Sequence, residues 1–352
     1  MMIERTALAP LTITVAIPAY NRAAVLPELL DSILAQDSIP DEIIICEDMS
    51  RERTAIREVC DQYRSLFEAR GMRFSLFENA ENFGYDKNVR EVISRSSCEY
   101  VILMGNDDRM FSNCIQHVRA ALLEYPTEAR PGFVGRAYAK FDERGRRKGL
   151  TRICKNNRFH LPGAAEAGTI FSYCAFVSGI VFNVERAKAA QTAIFDGSLY
   201  YQYYLALSLS RVSSVLYLST PIIEGRMNNP PDFGNANNEK KIFTPGGYAA
   251  TARIAMWSGL LTITRHVCRS LAGDQEKSLR RMLDNRYFFH IAEMVSLRGR
   301  GELITLFRGF FGLGLMRTPL SLVIFSFAIV FGRMSRVAFS ATRSIASNFS
   351  GF

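Results

Sequence analysis

Several features that would settle a chemistry outright are missing from this chain of 352 residues. The seven cysteines (Cys46, Cys60, Cys98, Cys114, Cys154, Cys174 and Cys268) form no CxxC pair and no close Cys/His cluster. Zinc and dithiol readings therefore have no support, and a reduced, cytosolic compartment is expected. No GxGxxG follows the first strand-like run and no GxxxxGKS/T occurs, which removes hydride-transferring dinucleotide folds and P-loop enzymes. Residues 1–10 lack a basic stretch followed by a long apolar one, so no signal peptide is expected. No stacking motif or basic groove pattern supports nucleic acid as a partner. The last absence is of one sign of charge: after Glu302 there is no Asp or Glu, while Arg308, Arg317, Arg333, Arg336 and Arg343 recur.

What is present is a hydrophobic fraction of 48% and a net charge of +9, the balance of a globular protein that favours anionic partners. The first third alternates strand and helix patterns. Leu11–Ile17 is β-branched and stopped by Pro18, and Leu26, Leu29, Leu30, Ile33 and Leu34 then fall on one helix face. A second strand at 42–46, a helix at 52–69, a third strand at 73–77, a helix ending near Ser94 and a strand at 100–104 complete the series. Such alternation predicts βαβ units and a mostly parallel sheet. Three of the strands run into polar turns, Tyr20-Asn21-Arg22, Glu47-Asp48 and Gly105-Asn106-Asp107-Asp108. Parallel strands end on one edge, so these turns are expected to converge where open α/β sheets bind ligands. Two adjacent carboxylates there stay ionised cheaply only beside a cation or well-placed donors; the competing role for such residues is helix capping.

The order Val15-Ala16-Ile17-Pro18-Ala19-Tyr20-Asn21-Arg22, Ile45-Cys46-Glu47-Asp48-Met49-Ser50, Asn82-Phe83-Gly84 and Gly105-Asn106-Asp107-Asp108 resembles the family 2 glycosyltransferases, which have the GT-A fold. The resemblance is strong over the first third and continues to about Arg226. It implies a nucleotide-sugar donor and Mg²⁺ or Mn²⁺ as cofactor. Pro18, Ala19, Tyr20, Arg22 and Asp48 would line the base and ribose pocket, with Asp48 accepting from a base N–H. Asn82 and Asp86 would lie in a loop near the donor, although Asn-Phe-Gly also reads as a turn before a helix. The family's DxD-type motif maps onto Gly105-Asn106-Asp107, followed by Asp108. Gly105 stands where the first acid often sits, so the metal falls to Asp107 and Asp108, with Asp108 preferred and Asn106 and Asp107 beside the donor.

Ser178–Asn183 reads as a strand whose glycine implies close approach by another backbone or a ligand. The family's catalytic acidic pair is replaced by Tyr200-Tyr201-Gln202, leaving Asp196 as the nearby carboxylate, either base or helix cap. The Asn-Pro-Pro loop together with Tyr200 and Gln202 is similar to the abequosyltransferase-like O-antigen enzymes. The polar segment 224–247 is either a lid, with Arg226 or Lys240 and Lys241 on phosphate, or a linker. Residues 248–298 have a helical pattern, in which His266 and His290 show no ligand spacing.

The apolar run 320–331 is shorter than the roughly 20 residues of a spanning helix, so the tail is expected to lie on an anionic membrane surface, or else to pack as a helical hairpin. The expected organisation is a GT-A domain (residues 1–226), a lid and helical extension (227–300) and a membrane-associating tail (301–352). Function is expected to be metal-assisted transfer of a sugar to a polyprenyl-lipid-linked saccharide at the cytoplasmic face of the plasma membrane, in surface polysaccharide synthesis. A catalytically idle GT-A-like scaffold is the alternative, motivated by the missing acidic pair.

Overall fold

The computed structural model describes residues 11–335 except 228, 230, 231, 241, 244–248 and 297, and leaves out the side chains of 270, 290, 293, 294, 296 and 333. The calls on His290, Arg333, Arg336, Arg343 and Lys241 therefore fall outside the described side chains.

The alternating series forms as its periodicity requires: β1 (Ile13–Ala19), α1 (Leu26–Leu34), β2 (Glu42–Glu47), α2 (Arg53–Ala69), β3 (Arg73–Glu78), α3 (Tyr85–Arg95) and β4 (Tyr100–Leu103). Pro27 sits in the first turn of α1, where its missing N–H costs nothing, and Leu26, Leu29, Leu30 and Ile33 are buried beneath the sheet. β2 is buried at every position, as a strand covered on both faces must be.

The next segment contributes β5 (Arg109–Met110), α4 (Cys114–Leu123), β6 (Phe133–Phe141), β7 (Arg147–Thr151), β8 (Arg158–His160), α5 (Ala167–Cys174), β9 (Ile180–Asn183), α6 (Val184–Ala189), α7 (Tyr201–Val212) and β10 (Val215–Arg226). The main path of the sheet runs β3-β2-β1-β4-β9-β6-β10-β5, with β7 and β8 branching from β6 and β10. The expectation of a mostly parallel sheet needs correction. β3, β2, β1 and β4 are parallel, but β9 enters antiparallel between β4 and β6. The sheet is mixed because βαβ alternation governs only the first third; β9 returns after a long excursion free of that constraint. Gly179 just before β9 makes the predicted close approach. Its N–H donates to Leu103 O at 2.7 Å, and a Cβ there would stand 3.0 Å from both Arg136 and Ile223.

Among the described residues the helices that follow are α8 (Ala250–Cys268), α9 (Ala272–Met282), α10 (Phe288–Ser296), α11 (Arg300–Gly312) and α12 (Pro319–Phe331). They share one core with the sheet, reaching from Val89 on α3 to Ala328 on α12. Trp257 of α8 stacks on Phe310 of α11, with ring centroids 4.3 Å apart. α12 is only half-packed: Ser321, Ile324 and Ala328 face inward, whereas Leu320, Leu322, Val323, Val330 and Phe331 are exposed. At 1.5 Å per residue α12 is about 20 Å long, against a hydrocarbon core of about 30 Å. Among the described residues, no helix is long and apolar enough to cross a membrane.

Candidate active site

The three polar turns converge at the carboxyl edge of β1, β2 and β4. The amide of Asn106 donates to Asn21 O at 2.8 Å, tying the β4 turn to the β1 turn, and Asp48 N–H donates to Ala19 O at 3.0 Å. Asn21, Arg22 and Met49 all have positive φ (52°, 67° and 49°), strain that tends to collect at functional turns. The β2 turn is fixed by fully buried Glu47, whose carboxylate accepts from the backbones of Met49 and Ser50 and pairs with Arg53.

Together these turns wall a cleft of about 340 Å³. Pro18, Tyr20, Arg22, Asp48, Asn82 and Asn106 line it, as do Asp107, Asp108 and Arg226. Ala19 is buried behind it, and neither Asp86 nor Asp196 is among the lining residues. Tyr20 presents an aromatic face; its hydroxyl pKa is raised by burial and by nearby Asp232.

The adjacent acids are not equivalent. Asp108 is 3% exposed, and both its oxygens are engaged: one accepts from Ser178 Oγ, the other from Arg226 N at 2.8 Å. Burial and then repulsion from Asp107 push its pKa up. Asp107 Oδ2 accepts from the Asn229 amide and ion-pairs with Arg22 at 3.1 Å. Among the described residues no donor reaches its Oδ1. The two acids therefore differ in their partners: Asp107 keeps one oxygen without a donor among the described residues, while Asp108 ties the β4 turn to Ser178 before β9 and to Arg226 at the end of β10.

The Asp107 oxygen that has no donor among the described residues suits a hard divalent cation. Among the described residues no group of three His, Cys, Asp or Glu could hold a metal. A cation here would take one protein ligand and complete its shell from diphosphate oxygens and water, a set suited to Mg²⁺ or Mn²⁺.

Asp48 does not cap a helix, because Glu52 occupies that position on α2. It accepts from Asn79 Nδ2 (2.8 Å), Phe83 N (2.8 Å) and Gly84 N (2.9 Å), holding the loop before α3 against the β2 turn. Burial raises its pKa to about 6, against the lowering effect of those donors. Asn82 turns the same loop by accepting from Gly84 N at 3.0 Å.

Asp86 lies inside the protein. Its carboxylate accepts from Leu199 N at 2.8 Å and Tyr201 N at 2.9 Å, capping α7 from a neighbouring helix. Burial pushes its pKa to about 7 despite these donors. Asp196 pairs with Arg90 on α3 at 2.5 Å; burial raises its pKa and Arg90 opposes the rise. Of the two alternatives for Asp196, the cap does not match this placement, since Tyr200 precedes α7 with Asp86 as the capping partner. The carboxylates that line the cleft are Asp48, Asp107, Asp108, Asp232 and Glu239.

From segment 224–247, Arg226, Asn229, Asp232, Phe233, Asn235 and Glu239 line the cleft. Residues 224–226 are the end of β10, and beyond them Asn229 meets Asp107, Asp232 accepts from Asn21, and Glu239 accepts from Tyr85 N at 2.7 Å. Arg226 donates to Asp107 O and pairs with Glu28 at 2.7 Å. Ser178, Asn79 and Glu239 were not legible as site residues. Ser178 carries a faint signal, a small polar residue before a strand glycine; Glu239 carries none. His266 is exposed and edge-on to Phe195, and all seven cysteines are free.

Residues 14–182 match the model of glycosyl transferase family 2. An abequosyltransferase of Salmonella typhimurium is 24% identical over 231 residues, covering 62% of this chain and 67% of that protein. An uncharacterized glycosyltransferase of Rickettsia typhi is 23% identical over 251 residues, 71% of each chain. Among solved structures, residues 1–349 of S. aureus TarS in complex with UDP-GlcNAc superpose with a TM-score of 0.60 at 13% identity, over 94% of this chain and 92% of that one; this likeness shows the fold. Residues 14–182, just under half of the chain, are thus similar to the family 2 glycosyltransferases, and the curated relatives that the chain matches are glycosyltransferases.

Proposed function

We propose that the cleft holds a nucleotide-sugar whose sugar passes to a lipid-linked saccharide at the cytoplasmic face of the plasma membrane, in surface polysaccharide synthesis. The observation that carries this reading is the convergence of Tyr20, Arg22 and Asp107 on one sheet edge, an aromatic, a cation and an open carboxylate within one cleft. Tyr20 offers a face for the base. Arg22 and Arg226 offset negative charge on the diphosphate, and Asn229 and Arg22 hold the Asp107 carboxylate in place. A bound Mg²⁺ or Mn²⁺ would supply Lewis-acid stabilisation to the departing nucleoside diphosphate. Asn229, Asp232, Phe233, Asn235 and Glu239 line the cleft and would limit access of water. The abequosyltransferase relative supports a role among polysaccharide-building enzymes.

The test is a thermal-shift series with nucleoside diphosphates, with and without Mn²⁺. A ligand at 100 times its Kd stabilises by about 2.7 kcal/mol, so one base should raise the unfolding midpoint, and more so with metal. A flat response to every nucleotide under both conditions would favour the idle scaffold.

The membrane assignment rests on exposed Leu322, Val330 and Phe331 of α12, within a C-terminal segment that carries arginines and no acid beyond Glu302. Vesicles containing anionic lipid should co-sediment the protein, and Leu322→Asp with Val330→Asp should cut the bound fraction several-fold. Equal binding by the double variant would place the contact elsewhere.

A further inference from the structure

A second cavity, of about 790 Å³, opens between the β6–β7 hairpin and α12. Its volume is that of a small-molecule site. Buried Arg136 lies in its wall, Lys140 lines the hairpin side, and exposed Arg152 and Arg286 both line it, the Arg286 guanidinium donating to the Arg152 backbone carbonyl at 3.1 Å. No Asp or Glu lines it. Among the described residues, no carboxylate ion-pairs with Arg136, Arg152 or Arg286. The exposed charges of Arg152 and Arg286 raise the local potential and favour an anion.

The opposite wall is hydrocarbon. Leu320, Val323, Ile324 and Phe327 fall at i, i+3, i+4 and i+7 on α12, one stripe of the helix, and all four line the cavity. Val323 is 64% exposed and Leu320 48%, so apolar side chains stand at the mouth where water would otherwise meet them. A site cationic on one side and greasy on the other selects an amphiphile.

The cavity also adjoins the donor cleft. Phe176 lines both, and Arg136 donates to Phe176 O at 2.9 Å and to Ser178 O, while Ser178 Oγ bonds Asp108. The occupant of the cavity therefore sits one side chain away from the donor.

We propose that this cavity binds the phosphate-bearing head of a long-chain prenyl phosphate or diphosphate, with the head on Arg152 and Arg286 and the chain along the Leu320–Phe327 stripe. It rests on the lipid-linked acceptor reading above, and gives that acceptor a place. The phosphate stays with the acceptor; the cavity performs no chemistry.

The test uses the full chain with saturating UDP and Mn²⁺, so that the donor cleft is filled, and measures farnesyl diphosphate, inorganic diphosphate and farnesol by calorimetry. Farnesyl diphosphate should bind at least 10-fold more tightly than either other probe. Arg152→Glu with Arg286→Glu should weaken it at least 10-fold, and Val323→Asp about 5-fold, with UDP affinity unchanged in both. Val323 is exposed, so its variant keeps the test informative if the double charge reversal fails to fold. Unchanged farnesyl diphosphate affinity in the variants would overturn the proposal. Equal binding of inorganic diphosphate, insensitive to Val323→Asp, would also overturn it and show a free-phosphate site. Binding of the nucleoside diphosphates measured alone separates the two readings: prenyl binding with no nucleoside diphosphate bound sinks the donor cleft and not this cavity.

Discussion

Asp107→Asn is expected to lower kcat/KM for sugar transfer by about 10²–10³-fold, the scale of losing one preorganised electrostatic contact to a transition state. The substitution keeps the shape of the side chain and removes the charge from its open Oδ1. It also relieves the repulsion that raises the Asp108 pKa, so the unfolding midpoint should hold or rise. Asp108→Asn should behave differently. Its amide nitrogen would face either the Ser178 hydroxyl or the Arg226 N–H, both donors to the native carboxylate. Activity should fall together with stability, the latter by about 1–3 kcal/mol for a donor left unsatisfied. Steady-state rates across a Mn²⁺ titration, with denaturant unfolding of both variants, separate the cases. Full metal-dependent activity in Asp107→Asn, with Asp108→Asn inactive but stable, would return the metal to Asp108.

The second large effect is expected at Gly84. Its φ of 80° and ψ of 167° belong to a region almost closed to residues with a Cβ. A Cβ there would stand 2.6 Å from Glu239 Oε1 and 3.0 Å from Asn238 Oδ1. Three segments cross at this glycine: Asp48 takes its N–H, α3 starts after it, and Glu239 takes the next N–H. Gly84→Ala should cost about 2–4 kcal/mol from backbone strain and the displaced Glu239 bond. Nucleotide affinity should drop by more than 10-fold, because Asp48 and Glu239 would separate across the cleft wall. Denaturant midpoints and nucleotide titrations measure both; a stable variant with native affinity would show that the loop adapts.

Much of this organisation was legible because it is local. The strand from Ile13 to Ala19 is dictated by β-branching, α1 by the spacing of Leu26, Leu29 and Ile33, and the convergence of the turns by parallel pairing. Asp48 and Asp107 stand at strand ends that the pattern marks. The antiparallel entry of β9 was not legible, since a four-residue apolar strand carries no direction in its sequence. Nor were the uses of Asp86 and Asp196. A carboxylate at a helix start reads as a cap for its own helix, yet Asp86 caps α7 from α3, and Asp196 answers Arg90 across 106 residues. Such roles depend on which elements meet, and that is settled by tertiary packing.

The cleft is closed by bonds between residues far apart in the chain, Asp108 to Arg226 across 118 residues and Tyr85 to Glu239 across 154. On a ribosome adding about 5–20 residues per second, roughly 8–30 s pass between the synthesis of Tyr85 and that of Glu239. Through that interval the β1, β2 and β4 turns can meet while the wall that faces them does not yet exist. The nascent chain is thus a sheet edge before it is a cleft, and the candidate donor site closes only after Glu239 has been made.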